Sequence, residues 1–499
     1  MNMKKTLFLL LALWSLEASA QQLILTEPTN KNDKLSYSFV VKSEHCALQA
    51  QSIAAKIEDL LSDREIAIRN TPKLDTLSDV VITIPKEGVM VIDGQEIRYT
   101  NLDQASAKAA KFLDQRFSTV GSPTYSTLWQ WGQGGYGAYR IPSVVALPNG
   151  NIVAFIEARA HSKHDQAEND IIAKISQDGG RSWSEQIMVA QAGGASLNNP
   201  CAVYVEQDHK IILLYQYYPQ NITEGSSAVG VQGDNISRVF TVESMDDGRT
   251  WSAPKDITVQ AKHPEANSIC SGPGAAIRLS QGEHKGRIVV PFNANGSTRW
   301  FNYLIYSDDR GLNWQIAPGE SGYGTNESQI VEIGDGELLM NTRSHRYPQD
   351  TLYTAPKGWN PWNFEKVTRN RANIRIAMKG DSTIWIGTKV QENLPDPTCQ
   401  GSIIRIGKIL LLSNPASQYT VTREGRAYGQ TPPMRINGTV KVSHDWGKTW
   451  DRSKRIYGDR LTEFQYSVLV DLGHGKVGCL FEAGTEIKFA SFDLKWLLK

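Results

Sequence analysis

Two patterns of apolar and polar residues divide this chain. Over residues 22–117 the period changes from one segment to the next. Residues 35–41 alternate apolar and polar positions, the pattern of a strand with one buried face. Residues 46–61 instead place Leu48, Ile53, Ile57, Leu60 and Leu61 near one face of a helix. Residues 80–84 and 88–92 are short apolar runs split by Pro85-Lys86-Glu87, which predicts two strands and a turn. Residues 102–117 return to helical spacing, with Ala107, Ala110 and Phe112 among the apolar positions. Together these elements predict a small α+β domain over residues 21–117.

From residue 118 onward the helical period fades and strand-like runs dominate. A short motif, S-x-D-x-G-x-[TSN]-W, recurs at residues 176–183, 244–251, 307–314 and 443–450. The copies start 68, 63 and 136 residues apart, so one copy has degenerated near position 375. A repeat of about 66 residues divides the segment 118–499 into about six units. Radially repeated four-stranded sheets make a propeller. The expected fold is therefore an all-β six-bladed β-propeller over residues 118–499, preceded by the small α+β domain. Within the motif, Gly permits a tight turn, the Asp side chain accepts from turn amides, and the Trp covers the hairpin. These residues build the fold, and no catalytic role is expected for Asp178, Asp246, Asp309 or Asp445.

The first 20 residues read as a signal peptide. Lys4 and Lys5 precede an apolar run from Leu7 to Leu13, and Ala18-Ser19-Ala20 offers a small-residue cleavage site. The expected protein is exported, periplasmic or secreted, with no membrane span after cleavage. Acidic and basic residues balance at 52 and 53, which argues against a nucleic-acid partner. Thirteen Trp and 18 Tyr fit a sugar-handling β protein as well as ordinary core packing. Five widely spaced Cys (Cys46, Cys201, Cys270, Cys399 and Cys479) form no disulfide framework and no CxxC metal site; an oxidising compartment would allow one or two bridges, and buried free thiols are expected for most of them.

The repeats resemble the Asp-boxes, or BNR repeats, of bacterial exo-α-sialidases, the family 33-like glycoside hydrolases. The residues between them sharpen the likeness. Tyr139-Arg140-Ile141-Pro142 resembles the family's F/Y-R-I-P motif, whose Arg binds the substrate carboxylate. Arg159, in IEAR, matches a further pocket Arg, and Asp165 matches the acid/base Asp. Asn326-Glu327-Ser328-Gln329 resembles the N-E-x-Q segment, whose Glu assists the nucleophile. Arg343 in MNTR and Arg435 in RINGTV match the other two members of an arginine triad. Tyr466, in QYS, matches the nucleophile, and Glu482, in LFEAG, the carboxylate that orients the first Arg. The likeness spans about three quarters of the chain. Separately, the N-terminal pattern resembles the accessory domain of family 20 β-hexosaminidases.

What the resemblance implies is chemically coherent. Sialic acid carries a carboxylate on its anomeric carbon, and three guanidinium groups suit an anion that stays ionised. A carboxylate nucleophile would meet a like charge there, whereas a neutral phenol does not. A free Tyr titrates near 10 and needs a base, the role implied for Glu327. Asp165 would protonate the leaving oxygen and then activate water. Asp170, five residues further on, competes for that role but reads as part of the strand entering the first motif. His161 and His164 share the Asp165 loop, lack an evident third metal ligand, and fit a substrate rim. No metal or cofactor is expected. The substrates would be sialylated glycans. Alternatives are transfer instead of hydrolysis, a related 2-keto sugar acid such as KDN, or a glycan-binding propeller without catalysis.

Overall fold

The computed structural model describes residues 35–43, 47–62, 67–70, 79–117, 120–296, 299–322, 324–344, 370–417, 435–459 and 462–499. The signal-peptide segment and Cys46 lie outside these residues. No helix among them is long and apolar enough to cross a membrane.

The N-terminal residues form one sheet in the order Ala67–Asn70, Ser36–Ser43, Val80–Lys86, Val89–Ile92, Gln95–Arg98. Ser36–Ser43 runs parallel to both neighbours. Parallel strands need a crossover, and the helix Ala47–Leu60 provides the first. That helix buries Ala50, Ile53, Ala54 and Ile57, with Leu61 just beyond its end. Leu48 and Leu60, expected on the same face, are exposed. At 100° per residue Leu48 lies opposite the buried arc and Leu60 falls at its edge. The second helix, Leu102–Arg116, is capped by Asn101, whose side chain accepts from the Gln104 amide at 2.9 Å. It buries Ala105, Ala109, Ala110 and Leu113, while Ala107 is exposed and Phe112 half-buried.

Six further sheets follow in chain order among the described residues. Neighbouring sheets touch one another, and Gln465–Gly473 of the sixth packs against Ala138–Ala146 of the first. The row therefore closes into a ring. Its closing strand comes from before the first repeat: Thr124–Gln130 pairs antiparallel with Glu486–Asp493 as the outer strand of the sixth sheet.

The recurring motif fills the turn between the third and fourth strands of the first, second, third and fifth sheets. In the first copy Ser176 Oγ donates to Asp178 Oδ1 at 2.9 Å, and the Gly180 amide donates to Ser176 Oγ at 2.9 Å. The amides of Arg181 and Ser182 donate to the same Asp oxygen. In the fourth sheet Lys379 pairs with Ser382 across a two-residue turn, Gly380-Asp381, so the degenerate copy stands there. The sixth sheet has no copy because its outer strand does not continue from the third.

Each motif glycine also abuts the preceding sheet. A β-carbon on Gly180 would meet the Phe489 ring, on Gly248 Val153, on Gly311 Ile212 and on Gly447 Leu339. Trp183 packs edge-on to Phe489 at 5.4 Å, and Trp251 edge-on to Phe155 at 5.5 Å. The turns thus bind each sheet to its predecessor. Gly180→Ala combines a φ of +89° with overlap onto a buried aromatic ring. Such overpacking costs about 1–3 kcal/mol. The expected result is a lower urea midpoint with unchanged KM for any substrate.

The N-terminal unit is not loosely appended. Tyr37, Leu113 and Phe117 share one apolar cluster with Val442, Ile456, Phe464, Phe481 and Trp496 of the fifth and sixth sheets and the C-terminal helix. Cys201, Cys399 and Cys479 are buried, Cys270 is partly exposed, and all four are free thiols.

Candidate active site

Antiparallel pairing brings the start of each innermost strand beside the end of the second. Arg140 pairs in register with Glu157, Thr325 with Ser344, and Gln465 with Glu482. The expected site residues sit at these positions in the first, fourth and sixth sheets, so they gather on one face of the ring. Arg435 precedes Gly438–Ser443 of the fifth sheet and joins them.

Bulges aim the side chains. The register shifts between Arg140 and Ser143, between Thr325 and Ser328, and between Gln465 and Val468. Ile141 and Tyr466 adopt φ of 60° and 42°. A left-handed backbone at a bulky residue is a strained state that only surrounding structure holds. At Tyr466 it turns the phenol inward, where the ring packs with Ile141 and Cys399. Bulges of this kind commonly re-aim side chains at the rims of closed sheets.

The phenol is the centre of the arrangement. Tyr466 Oη donates to Glu327 Oε1 at 2.6 Å. The other oxygen of Glu327 accepts from Arg343 Nη1 at 2.9 Å. The guanidinium carbons of Arg140 and Arg435 lie 4.9 and 5.4 Å from the Tyr466 ring centroid. The three arginines expected to converge therefore do so, around the expected phenol. Burial holds the Tyr466 hydroxyl well above its ordinary range, Glu327 adds to this, and the three guanidiniums oppose it. At neutral pH it is a neutral donor.

Each arginine is anchored from behind. Arg140 Nε donates to Glu482 Oε2 at 3.1 Å, and the Ile141 amide donates to Glu482 Oε1 at 2.8 Å. Burial works against the Arg140 charge, but Glu482, Tyr466 and Asp165 together outweigh it and keep the group cationic. Arg435 Nη1 donates to Gln465 Oε1 at 3.1 Å and Nη2 to the Thr398 carbonyl at 3.2 Å. Arg140 Nη2 and Arg343 Nε are buried and meet no acceptor among the described residues.

Asp165 stands at the rim. Its side chain is 63% exposed, 3.0 Å from Arg159 Nη1 and 3.8 Å from Arg140 Nη1. Its carbonyl accepts from Asn169 Nδ2 and Asn198 Nδ2, both at 2.6 Å, so the loop is pinned while the carboxylate stays accessible. Asp170 is otherwise engaged, accepting from Tyr136 Oη at 2.7 Å and from the Ala192 amide at 2.8 Å. His161 is exposed and faces Glu168 at 3.2 Å.

Glu157, Glu224, Arg371 and Asp396 carried no sequence signal strong enough to single them out. Arg159 is fully buried, and its Nε and Nη2 donate to Glu157 Oε2 at 3.0 and 2.6 Å. Burial pushes the Glu157 carboxyl up to about 7 against the pull of Arg159. The i, i+2 spacing in one strand, which places both on one face, could have suggested the pair. Glu224 sends its carboxylate inward to accept from Ser268 Oγ at 3.3 Å, within electrostatic range of Asp165, Glu327 and Arg343. Buried Arg371 contacts Asp396 at 3.4 Å and donates to the Cys399 carbonyl at 2.7 Å, fixing the turn that presents the Thr398 carbonyl to Arg435.

Residues 150–479 match the BNR repeat-like domain family. The chain belongs to the BNR-repeat sialidase family. A sialidase of Micromonospora viridifaciens is 29% identical over 386 residues, covering 73% of this chain and 53% of that protein. A sialidase of Bacteroides fragilis is 26% identical over 382 residues, covering 72% and 63%. The match thus spans roughly half to two thirds of these relatives. Among solved structures, the Hadza microbial sialidase Hz136 superposes with a TM-score of 0.62 at 22% identity, covering 82% of this chain and 72% of that one. That likeness places the fold of this family member among β-propellers.

Proposed function

We propose that this protein is an exo-α-sialidase that releases terminal α-linked sialic acid from glycoconjugates with net retention. The observation that carries this reading is the Tyr466–Glu327 hydrogen bond of 2.6 Å set among Arg140, Arg343 and Arg435. Sialidase relatives support it. In this reading the six sheets are the blades of one propeller over residues 118–499, residues 21–117 are an accessory domain, and residues 1–20 direct export.

Arg140, Arg343 and Arg435 hold the sugar carboxylate. Glu482 supports Arg140, and Arg159 shapes the wall that carries Asp165. Glu327 takes the phenol proton as Tyr466 Oη bonds to the anomeric carbon. The glycosidic C–O bond breaks while Asp165 gives its proton to the leaving oxygen. Asp165 then removes a proton from water, which attacks the same carbon. Tyr466 leaves and recovers its proton from Glu327. Two inversions give retention.

Leaving-group chemistry tests the role of Asp165. Asp165→Asn removes the proton donor but keeps the size of the side chain. General acid catalysis contributes about 10²–10⁴-fold where the leaving oxygen is basic. The expected result is a loss of that order with sialyl-lactose, and a much smaller loss in the burst of fluorophore from an aryl sialoside. Equal losses on both substrates would remove Asp165 from this role. Adding lactose to the wild-type reaction and analysing products separates hydrolysis from transfer.

A further inference from the structure

Arg455 lies on Arg452–Arg455, the outer strand of the fifth sheet, and is almost fully buried. Its guanidinium points two ways. Towards the N-terminal unit, Nη1 donates to the Ser36 carbonyl at 2.6 Å and Nη2 pairs with Asp79. Asp79 in turn accepts from the Ser38 amide at 2.8 Å and from Ser38 Oγ at 3.1 Å. The guanidinium also lies 5.3 Å from the Tyr37 ring centroid. Towards the ring, Nε donates to Asn437 Oδ1 at 3.2 Å.

Asn437 is two residues from Arg435. It adopts φ of 63°, a conformation in which Asn is tolerated better than most residues. Its Nδ2 donates to the Ala416 carbonyl at 3.0 Å, and its own carbonyl accepts from the Ala416 amide at 3.1 Å. The Phe464 amide donates to the Arg435 carbonyl at 3.0 Å, and Ile436 bridges to Glu463, two positions before Gln465. The strand that carries Tyr466 and the segment that carries Arg435 are therefore set by one short backbone stretch. Arg455 grips that stretch through Asn437.

We propose that Arg455 is a positioning residue that couples docking of the N-terminal unit to the placement of Arg435. The N-terminal unit then acts on substrate affinity without touching substrate. This rests on the reading of Arg435 as a carboxylate ligand. The path is a continuous set of hydrogen bonds, Ser36 and Asp79 to Arg455 to Asn437, and a fixed backbone from there to Arg435. A misplacement of about 1 Å in a binding group can cost up to about 10²-fold in rate.

The test uses the full chain and an aryl sialoside. Asp79→Asn breaks the ion pair from the N-terminal side and leaves every ring residue intact. Arg455→Lys keeps the charge but cannot make the three-way fork. Each is expected to raise KM about five- to tenfold with kcat changed less than about twofold. Asn437→Gly keeps the positive φ and removes the link. Adding Asp79→Asn to it should then raise KM no further. Ile53→Val, inside the N-terminal core and away from the path, should lower the melting temperature without moving KM. Additive effects in the double variant, or a KM rise in Ile53→Val that tracks its loss of stability, would overturn the coupling and leave only a structural contact. Wild-type turnover with a raised KM in Arg435→Lys, but none in Asp79→Asn or Arg455→Lys, would also overturn it while leaving the functional reading intact. No turnover by wild type would overturn that reading itself.

Discussion

Tyr466→Phe is expected to lower kcat on an aryl sialoside by at least about 10³-fold while the protein stays folded. Removing a nucleophile leaves only binding and electrostatic stabilisation, and these give a small residue of the full rate enhancement. The substitution keeps most of what the side chain does for structure. The ring packing on Ile141 and Cys399 remains, and so do the approaches of Arg140 and Arg435 to its face. Glu327 loses the 2.6 Å hydrogen bond from the phenol but retains Arg343 at 2.9 Å, so no buried charge is left unpaired. The melting temperature should therefore hardly move. Affinity for an unsaturated sialic acid analogue should also persist, because the carboxylate clamp is untouched. Stopped-flow release of fluorophore reads the first step directly. A burst of wild-type size and rate from the Phe variant would take Tyr466 out of the nucleophile role and move the covalent step elsewhere.

The parts of the molecule that the sequence displays are those whose work is local. In Ser176–Trp183 the polar contacts that shape the turn close within a few positions, as those of Ser176, Asp178 and Gly180 do, so the motif repeats wherever the turn repeats. Closure of the ring leaves no such mark. Thr124–Gln130 belongs to the sixth sheet, yet it precedes the first repeat and carries no box. The edge strand Gln95–Arg98 is equally hidden, because almost none of its surface is buried and it shows no apolar alternation. The short strand Ala67–Asn70 likewise goes unmarked in the sequence.

The site shows the same division. Arg140, Glu327, Arg343, Arg435, Tyr466 and Glu482 are legible through family-like segments, and the ring brings them together. The bulges that aim them are not. Ile141 and Tyr466 take positive φ without glycine, asparagine or any other local hint, because the surrounding sheet imposes it. Arg455 and Asn437 are invisible for a further reason. Their partners lie 376 and 21 residues away in sequence, and a single Arg or Asn in a strand or turn signals nothing by itself. Buttresses such as Glu157 for Arg159 and Asp396 for Arg371 fall between these cases, with spacing too common to single out.

Glu327→Gln is expected to lower kcat by about 10²–10⁴-fold, the usual range for a lost general base. The amide is nearly isosteric, but it cannot accept from both neighbours. In one orientation its oxygen accepts from Tyr466 and its NH₂ is driven against Arg343 Nη1. In the other the NH₂ faces the phenol and the oxygen faces Arg343. The carboxylate suits both because both its oxygens accept. The substitution also removes the charge that sustains Arg343. Burial works against that cation, and Glu327 does the most to hold it charged. KM should therefore rise together with the fall in kcat, in contrast to Tyr466→Phe, where KM should hold. The double variant decides whether the two residues act as one unit. If the phenol is useless without its base, Tyr466→Phe combined with Glu327→Gln should be no slower in the first step than Tyr466→Phe alone. Losses that multiply would mean that Glu327 serves the reaction independently of Tyr466. The hydrogen bond of 2.6 Å would then be a structural contact rather than a path for the proton.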